Sequence, residues 1–258
     1  MKYIIYEKRD GIAFIRFNRP EKYNSFIREM ALELQSALDD AEIDELTRVI
    51  VLTGTGKAFC AGQDLKEATS DNGIDIHKII VEHYNPIIRR LRKIEKPVIA
   101  AVNGVAAGAG ANIAIASDIV IAKESARFIQ AFSLIGLIPD SGGTYFLPRL
   151  IGAQRALALM MTGDAISAME AKQIGMIYQV YPDEEFEERS FTFARKMAHM
   201  PTKALGLIKK AINQSLDNSL DEQLSLEDEY QKRAAATLDY AEGAKAFLEK
   251  RKPKFLGK

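Results

Sequence analysis

The chain has 258 residues, 47% of them apolar, enough to bury a substantial core in one large domain or in one domain with an appendage. Its 35 basic and 35 acidic side chains cancel, so no bulk field favours nucleic acid or an anionic membrane surface. A single cysteine, Cys60, excludes an intrachain disulfide framework and suits a reducing compartment, and no apolar run approaches the ~20 residues of a membrane span.

The opening residues, Met1 to Asp10, are too charged for a secretory signal, and the expectation is a soluble cytoplasmic protein. Tyr3 to Tyr6 and Ile12 to Phe17 read as two strands joined by a turn at Asp10-Gly11. Phe26, Met30, Leu34, Leu38 and Ala41 then recur at helical spacing, with Ser25 as the expected cap. Val49 to Leu52, Val98 to Val102 and Asp118 to Ala122 read as buried strands. Strands alternating with helices indicate an α/β class built from repeated units. From Asp183 onward the pattern becomes charged and helical, and Pro201 marks a helix start. We therefore place a boundary near residue 200, giving a core of residues 1–199 and a helical region of residues 200–258. The latter is too short for a large independent core and is expected to pack on the first part or on another subunit.

Two glycine-bearing turns follow predicted strands, Gly54 to Leu65 and Asn103 to Asn112, and both can deliver backbone N–H groups to a common point. Neither is a known phosphate loop. Gly56-Lys57 has Val51 where a nucleotide-hydrolase loop needs its first glycine, and Gly108-Ala109-Gly110 has Ile113 where a dinucleotide fingerprint needs its third. Close packing of a helix on a strand would explain the small residues equally well. Asp140 is the only acidic side chain from Ser125 to Gly163. A lone carboxylate after Pro139 either caps a helix or performs proton chemistry. His77, His83 and His199 show no metal-ligand spacing and read as surface or hydrogen-bonded core residues, and Cys60 reads as a small buried side chain rather than a nucleophile.

Taken together, Ala58-Phe59-Cys60-Ala61-Gly62-Gln63-Asp64-Leu65, Val102 to Gly110, Ser117-Asp118-Ile119 and Pro139-Asp140-Ser141-Gly142-Gly143-Thr144 resemble, in that order and spacing, the enoyl-CoA hydratase/isomerase (crotonase) superfamily. Asn18-Arg19-Pro20 with Asn24, and Phe247 to Arg251, extend the resemblance to essentially the whole chain. It implies an α/β fold, a crotonase-like spiral of repeated β-β-α units with a C-terminal helical region that mediates homotrimers or dimers of trimers. It also implies an acyl-CoA substrate, with coenzyme A part of the substrate and no separate cofactor or metal. Backbone N–H groups at the matching positions, Ala61 and Ala109, would hold the thioester oxygen as it becomes an enolate. The substrate surface would comprise Lys22, Ala61, Gly62, Gln63, Asp64, Leu65, Gly108, Ala109, Asn112 and Phe132, with Phe247 and Lys250 reaching a neighbouring subunit's nucleotide. Residues 69–83 would form a variable lid.

Hydratases of this family use two glutamates, and the matching positions here are Asn112 and Phe132, neither of which can act as a base. Asp140 stands where some of the family's isomerases carry an acid/base aspartate. The pattern most resembles the ring-epoxide isomerases of aerobic phenylacetate degradation, which act on 1,2-epoxyphenylacetyl-CoA and can also shift a double bond between the 3 and 2 positions. The alternatives are an enoyl-CoA hydratase of fatty-acid or aromatic-acid degradation, and a non-catalytic acyl-CoA-binding member of an enzyme assembly.

Overall fold

In the computed structural model, which describes residues 1–68 and 75–258, the hairpin forms as expected. Strands β1 (Ile4–Arg9) and β2 (Ile12–Phe17) pair antiparallel through Asp10 and Gly11, both at positive φ, the two-residue turn that matches strand twist. Helix α1 (Arg28–Ile43) buries Met30, Leu34, Leu38 and Ala41 as the periodicity predicts. Its cap does not follow the expectation. Ile27 occupies that position with no side-chain bond, because Ser25 and Phe26 continue in extended form and Phe26 pairs with Gln63.

The chain then repeats one pattern three times, a strand in a large sheet followed by a strand in a small one. The pairs are β3 (Val49–Gly54) with β4 (Ala58–Cys60), β5 (Val98–Val102) with β6 (Val105–Ala107), and β7 (Ile119–Lys123) with β8 (Arg127–Ile129). Helices close the units: α2 (Leu65–Ala68), α3 (Ile76–Lys78), a π-helix Ile79–Tyr84 and α4 (Asn85–Lys93) after the first, and α5 (Ala109–Ala116) after the second. After the third come α6 (Gly143–Ile151) and α7 (Ala153–Thr162), then β9 (Ala165–Ser167), α8 (Ala168–Gln173) and β10 (Gln179–Tyr181). The large sheet has the order β1-β2-β3-β5-β7-β10 and the small one β4-β6-β8-β9. Of the expected lid, residues 69–74 lie outside the described residues, and residues 75–83 run into the two helical segments before α4.

Both faces of the large sheet are covered, which is why β5 reads Val-Ile-Ala-Ala-Val without alternation and is buried throughout. Ala13, Ile15 and Phe17 face the main core, while Ile12 and Phe14 face α9 (Phe186–Ala198) through Phe186, Ala194 and Ala198. The remaining helices are α10 (Thr202–Gln214), which starts after Pro201 as expected, α11 (Leu220–Ala235) and α12 (Leu238–Leu248). Helix α10 docks closely on the preceding part. A Cβ at Gly206 would lie 2.5 Å from the Glu95 carbonyl oxygen, and Lys209 Nζ meets Asp118 Oδ2 at 2.8 Å. Among the described residues no helix is long and apolar enough to cross a membrane.

Candidate active site

Phe17, Phe26 and Phe59 form a fully buried edge-to-face cluster, with centroids 5.4 and 5.1 Å apart from Phe17. Such pairs contribute about 0.5–1.5 kcal/mol each beyond burial, and here they anchor the strands on either side of the loop after β4. The N-terminal motif completes that anchor. Asn24 takes the Arg19 N–H on Oδ1 and donates to the Thr55 and Ala58 carbonyls, and Arg19 Nη2 pairs with Asp64 Oδ2 at 3.0 Å. Asp64 therefore shapes the loop.

The loop's hydrogen bonds decide which N–H is free. Ala61 N–H donates to the Tyr23 carbonyl at 3.0 Å, so the expectation that Ala61 supplies an oxyanion donor does not fit. Phe26 N–H donates to the Gly62 carbonyl at 2.7 Å, and Asp64 N–H to the Phe26 carbonyl at 2.8 Å. In a parallel bridge of this kind the residue between, Gln63, turns its own N–H to the opposite side. No described residue accepts that N–H, which leaves it available where Ala61 was expected to donate. The alternation of backbone direction carries this distinction, and it becomes visible only when the Phe26 pairing is known.

The second expected donor, Ala109, lies at the start of α5. Gly108, at φ 52° and ψ −127°, breaks the strand direction, and Asn112 N–H makes the first helical bond back to its carbonyl. The N–H groups of Ala109, Gly110 and Ala111 are thereby left without intrahelical acceptors, at the positive end of the helix dipole. A Cβ built on Gly62 would stand 3.5 Å from the Ala109 nitrogen, so the two turns adjoin. A Cβ on Gly110 would lie 2.2 Å from the Cys60 carbonyl oxygen, so only glycine lets α5 approach β4 this closely. Phe132 is buried, and a Cβ on Gly108 would lie 3.8 Å from its ring.

Asn112 is one turn beyond Ala109 on α5 and has no exposed surface. Its Nδ2 donates to the Asp140 carbonyl and its Oδ1 accepts from Gln130 Nε2, both at 2.8 Å. The expectation of a substrate contact through Asn112 is therefore corrected: its amide is engaged within the protein. A Cβ on Gly143 would lie 2.4 Å from Asn112 Nδ2, so glycine is required there too.

The backbone and side-chain groups of Asp140 take different partners. Its carbonyl accepts the Gly143 N–H at 2.8 Å, while Gly142 stands at the cap of α6 with no side-chain bond to the helix. The carboxylate does not cap. It accepts the Ser141 hydroxyl at 2.8 Å on Oδ1, and burial pushes its pKa above the ordinary carboxylate value against that hydrogen bond. Tyr84, absent from the sequence reading, lies close enough for the Asp140 charge to raise its pKa, after burial and Cys60. No spacing signal marks it.

Other expected residues are exposed. Lys22 is exposed on the turn before Tyr23, and Leu65 is exposed at the start of α2. Phe247 and Lys250 are exposed at the end of α12. Burial pushes the Cys60 thiol up to about 12, in keeping with an inert core residue. His83 is buried with neither ring nitrogen hydrogen-bonded, contrary to the expectation, and burial lowers its pKa. Among the described residues no group of three or more His, Cys, Asp or Glu is placed to hold a metal.

Residues 7–258 match the family described as Enoyl-CoA hydratase/isomerase. The 1,2-epoxyphenylacetyl-CoA isomerase of Escherichia coli (strain K12) is 48% identical, with 100% of both chains covered. The mitochondrial enoyl-CoA hydratase of Pongo abelii is 39% identical over 98% of this chain and 88% of its own length. The crystal structure of an enoyl-CoA hydratase from Bacillus anthracis covers 99% of this chain and 100% of its own, at 36% identity and a TM-score of 0.92. The chain therefore belongs to the enoyl-CoA hydratase/isomerase family, as an acyl-CoA enzyme with the crotonase fold.

Proposed function

We propose that this protein is an acyl-CoA isomerase in which the N–H groups of Gln63 and Ala109 hold the thioester oxygen and Asp140 carries the proton. The observation that carries this reading is the state of the three acid positions. Asp140 has a carboxylate free of helix capping and a pKa raised by burial, whereas Asn112 is engaged as a structural amide and Phe132 is hydrocarbon. Two acids in those places would position water; one acid suits a proton taken from one carbon and returned to another.

For a 3-enoyl thioester, the Asp140 carboxylate removes a proton from C2. The C–H electron pair moves through the carbonyl carbon onto the thioester oxygen, where two oriented donors in a water-poor site stabilise the developing charge by several kcal/mol. The protonated carboxyl then returns the proton to C4, the double bond settles between C2 and C3, and Asp140 is regenerated. Nothing is gained or lost. Similarity to the 1,2-epoxyphenylacetyl-CoA isomerase favours a ring-epoxide thioester as the physiological substrate, with Phe132 as a wall against the acyl group.

We assign residues 1–199 to the acyl-CoA-binding core and residues 200–258 to a helical region that packs on it and on a neighbouring subunit. Leu220, Leu224, Leu238, Phe247 and Leu248 are each more than half exposed in the single chain, which supports a homotrimer or a dimer of trimers. A strict 28.7 kDa monomer in solution would contradict the assembly. The decisive test of the chemistry is turnover of 3-hexenoyl-CoA and 1,2-epoxyphenylacetyl-CoA by the wild type and by Asp140→Asn. Isomer formation by the wild type and its loss by about 10²–10⁴-fold in the variant, with acyl-CoA binding retained, is the expected result. Full activity of the variant, or hydration of crotonyl-CoA at ~10 per second, would overturn the assignment.

A further inference from the structure

The amide of Gln63 is held at both ends. Tyr84 Oη donates to Oε1 at 2.9 Å, and Nε2 donates to Glu67 Oε2 at 2.8 Å. The other oxygen of Glu67 accepts the N–H of Arg28, the first residue of α1, at 3.0 Å. Tyr84 is fully buried, and its ring lies 5.8 Å from that of Phe26, the residue whose backbone pairs with Gln63. Side chain and peptide of Gln63 are thus tied to the same piece of core.

A hydrocarbon ring would fill the Tyr84 position equally well, and a buried phenol requires a partner for its O–H. That partner is the amide of the residue with the free N–H. Tyr84 also ends a six-residue π-helix, a widened turn that recurs at functional sites. Burial, then the proximity of Cys60, Asp140 and Glu67, holds the phenol well above its ordinary pKa, so it remains a donor across the working range. A planar carboxamide fixed at its oxygen and its nitrogen restricts the short stem, and with it the peptide plane that aims the N–H.

We propose that Tyr84 and Glu67 are positioning residues that lock Gln63 so that its N–H and that of Ala109 converge on one oxygen. The proposal rests on the reading of Gln63 and Ala109 as the donor pair. Tyr84→Phe removes one oxygen and nothing else, and Gln63→Met removes both side-chain bonds while keeping the N–H. Two readouts follow the donors directly. One is the red shift of bound cinnamoyl-CoA, whose conjugated thioester absorbs at longer wavelength when its carbonyl oxygen is hydrogen-bonded. The other is kcat on 3-hexenoyl-CoA.

In the wild type the probe should shift to the red. Either variant should lose much of that shift, and kcat should fall about tenfold, a fraction of the 10²–10³-fold cost of removing an oxyanion donor. KM should stay within about twofold and the pH of half-maximal kcat should not move, because Asp140 is untouched. The double variant should be no worse than Gln63→Met alone. Wild-type shift and kcat in Tyr84→Phe would overturn the proposal, as would additive losses in the double variant, which would mean that Tyr84 acts elsewhere. Absence of a red shift with the probe bound to the wild type would refute the donor pair itself, and the lock with it.

Discussion

Replacing Gly110 by alanine adds one methyl group where α5 meets the end of β4. Its Cβ would lie 2.2 Å from the Cys60 carbonyl oxygen and 2.7 Å from the Cys60 Cβ, whereas ordinary contact begins at 3.4 Å. Both atoms belong to a buried strand end, so the clash is relieved only if α5 or β4 moves by about 1 Å, at a cost of about 1–3 kcal/mol for an over-packed core. That motion separates Ala109 from Gln63, which lie on opposite sides of this contact. A displacement of ~1 Å in a reacting geometry costs about 10²-fold in rate. We therefore expect kcat on 3-hexenoyl-CoA, followed by the absorbance of the conjugated product, to fall about 100-fold, with the melting temperature lower by roughly 3–10 °C. Ala109→Gly is the matched control, because it keeps the N–H and should stay within a few-fold of wild type. Wild-type turnover and melting in Gly110→Ala would refute the argument that this contact sets the spacing of the donors.

Asp140 must be ionised to accept a proton, and burial raises its folded pKa above the ordinary 3.8. The acid limb of kcat/KM should thus lie above that value. The folded state binds the proton more tightly than the unfolded chain, so stability is lost as pH rises from the unfolded towards the folded pKa. Asp140→Asn should therefore melt a few degrees higher than wild type at neutral pH and show no such gain at pH 3; lower stability at neutral pH would refute the sign. Arg19→Met leaves Asp64 without its partner in a mostly buried setting and should cost about 3 kcal/mol in thermal unfolding, with part recovered in Arg19→Met/Asp64→Leu. No recovery in the double variant would contradict a role in shaping the loop. Asn112→Leu keeps the volume but releases the Asp140 carbonyl and the Gln130 amide, and should lower kcat at least tenfold while acyl-CoA binding by calorimetry stays within a few-fold.

Much of the fold was legible because local signals agreed with it. The Asp10-Gly11 turn, the buried β-branched runs at 49, 98 and 119, the apolar stripe of α1 and the Pro201 start all appear where the sequence placed them. The cap at Ser25 failed because a long-range pairing took the segment: Phe26 is bonded to residues near position 63, and no local propensity registers that competition. The same pairing hid the available N–H of Gln63. The resemblance pointed to Ala61, and only the direction of each N–H separates Ala61, bonded to Tyr23, from Gln63. Tyr84 left no trace because it lies in a helical stretch far along the chain and meets the site through one hydrogen bond.

The turn at Asp140 gives its carbonyl and its carboxylate different partners. Ser141 and Gly142 both sit at positive φ, 51° and 75°, a conformation that costs a serine about 1 kcal/mol or more. The Ser141 hydroxyl bond to Asp140 Oδ1 offsets part of that cost. The turn directs the Asp140 carbonyl onto two donors, Gly143 N–H and Asn112 Nδ2, and leaves the carboxylate the Ser141 hydroxyl and its own backbone N–H. Had the carboxylate capped α6 instead, backbone N–H bonds would have stabilised its charge and lowered its pKa, making it a weaker base. The Asn112 amide is therefore a structural part of this turn. By holding the Asp140 carbonyl, Asn112 helps keep the carboxylate out of the cap and partly buried, the state that the proposed proton transfer requires.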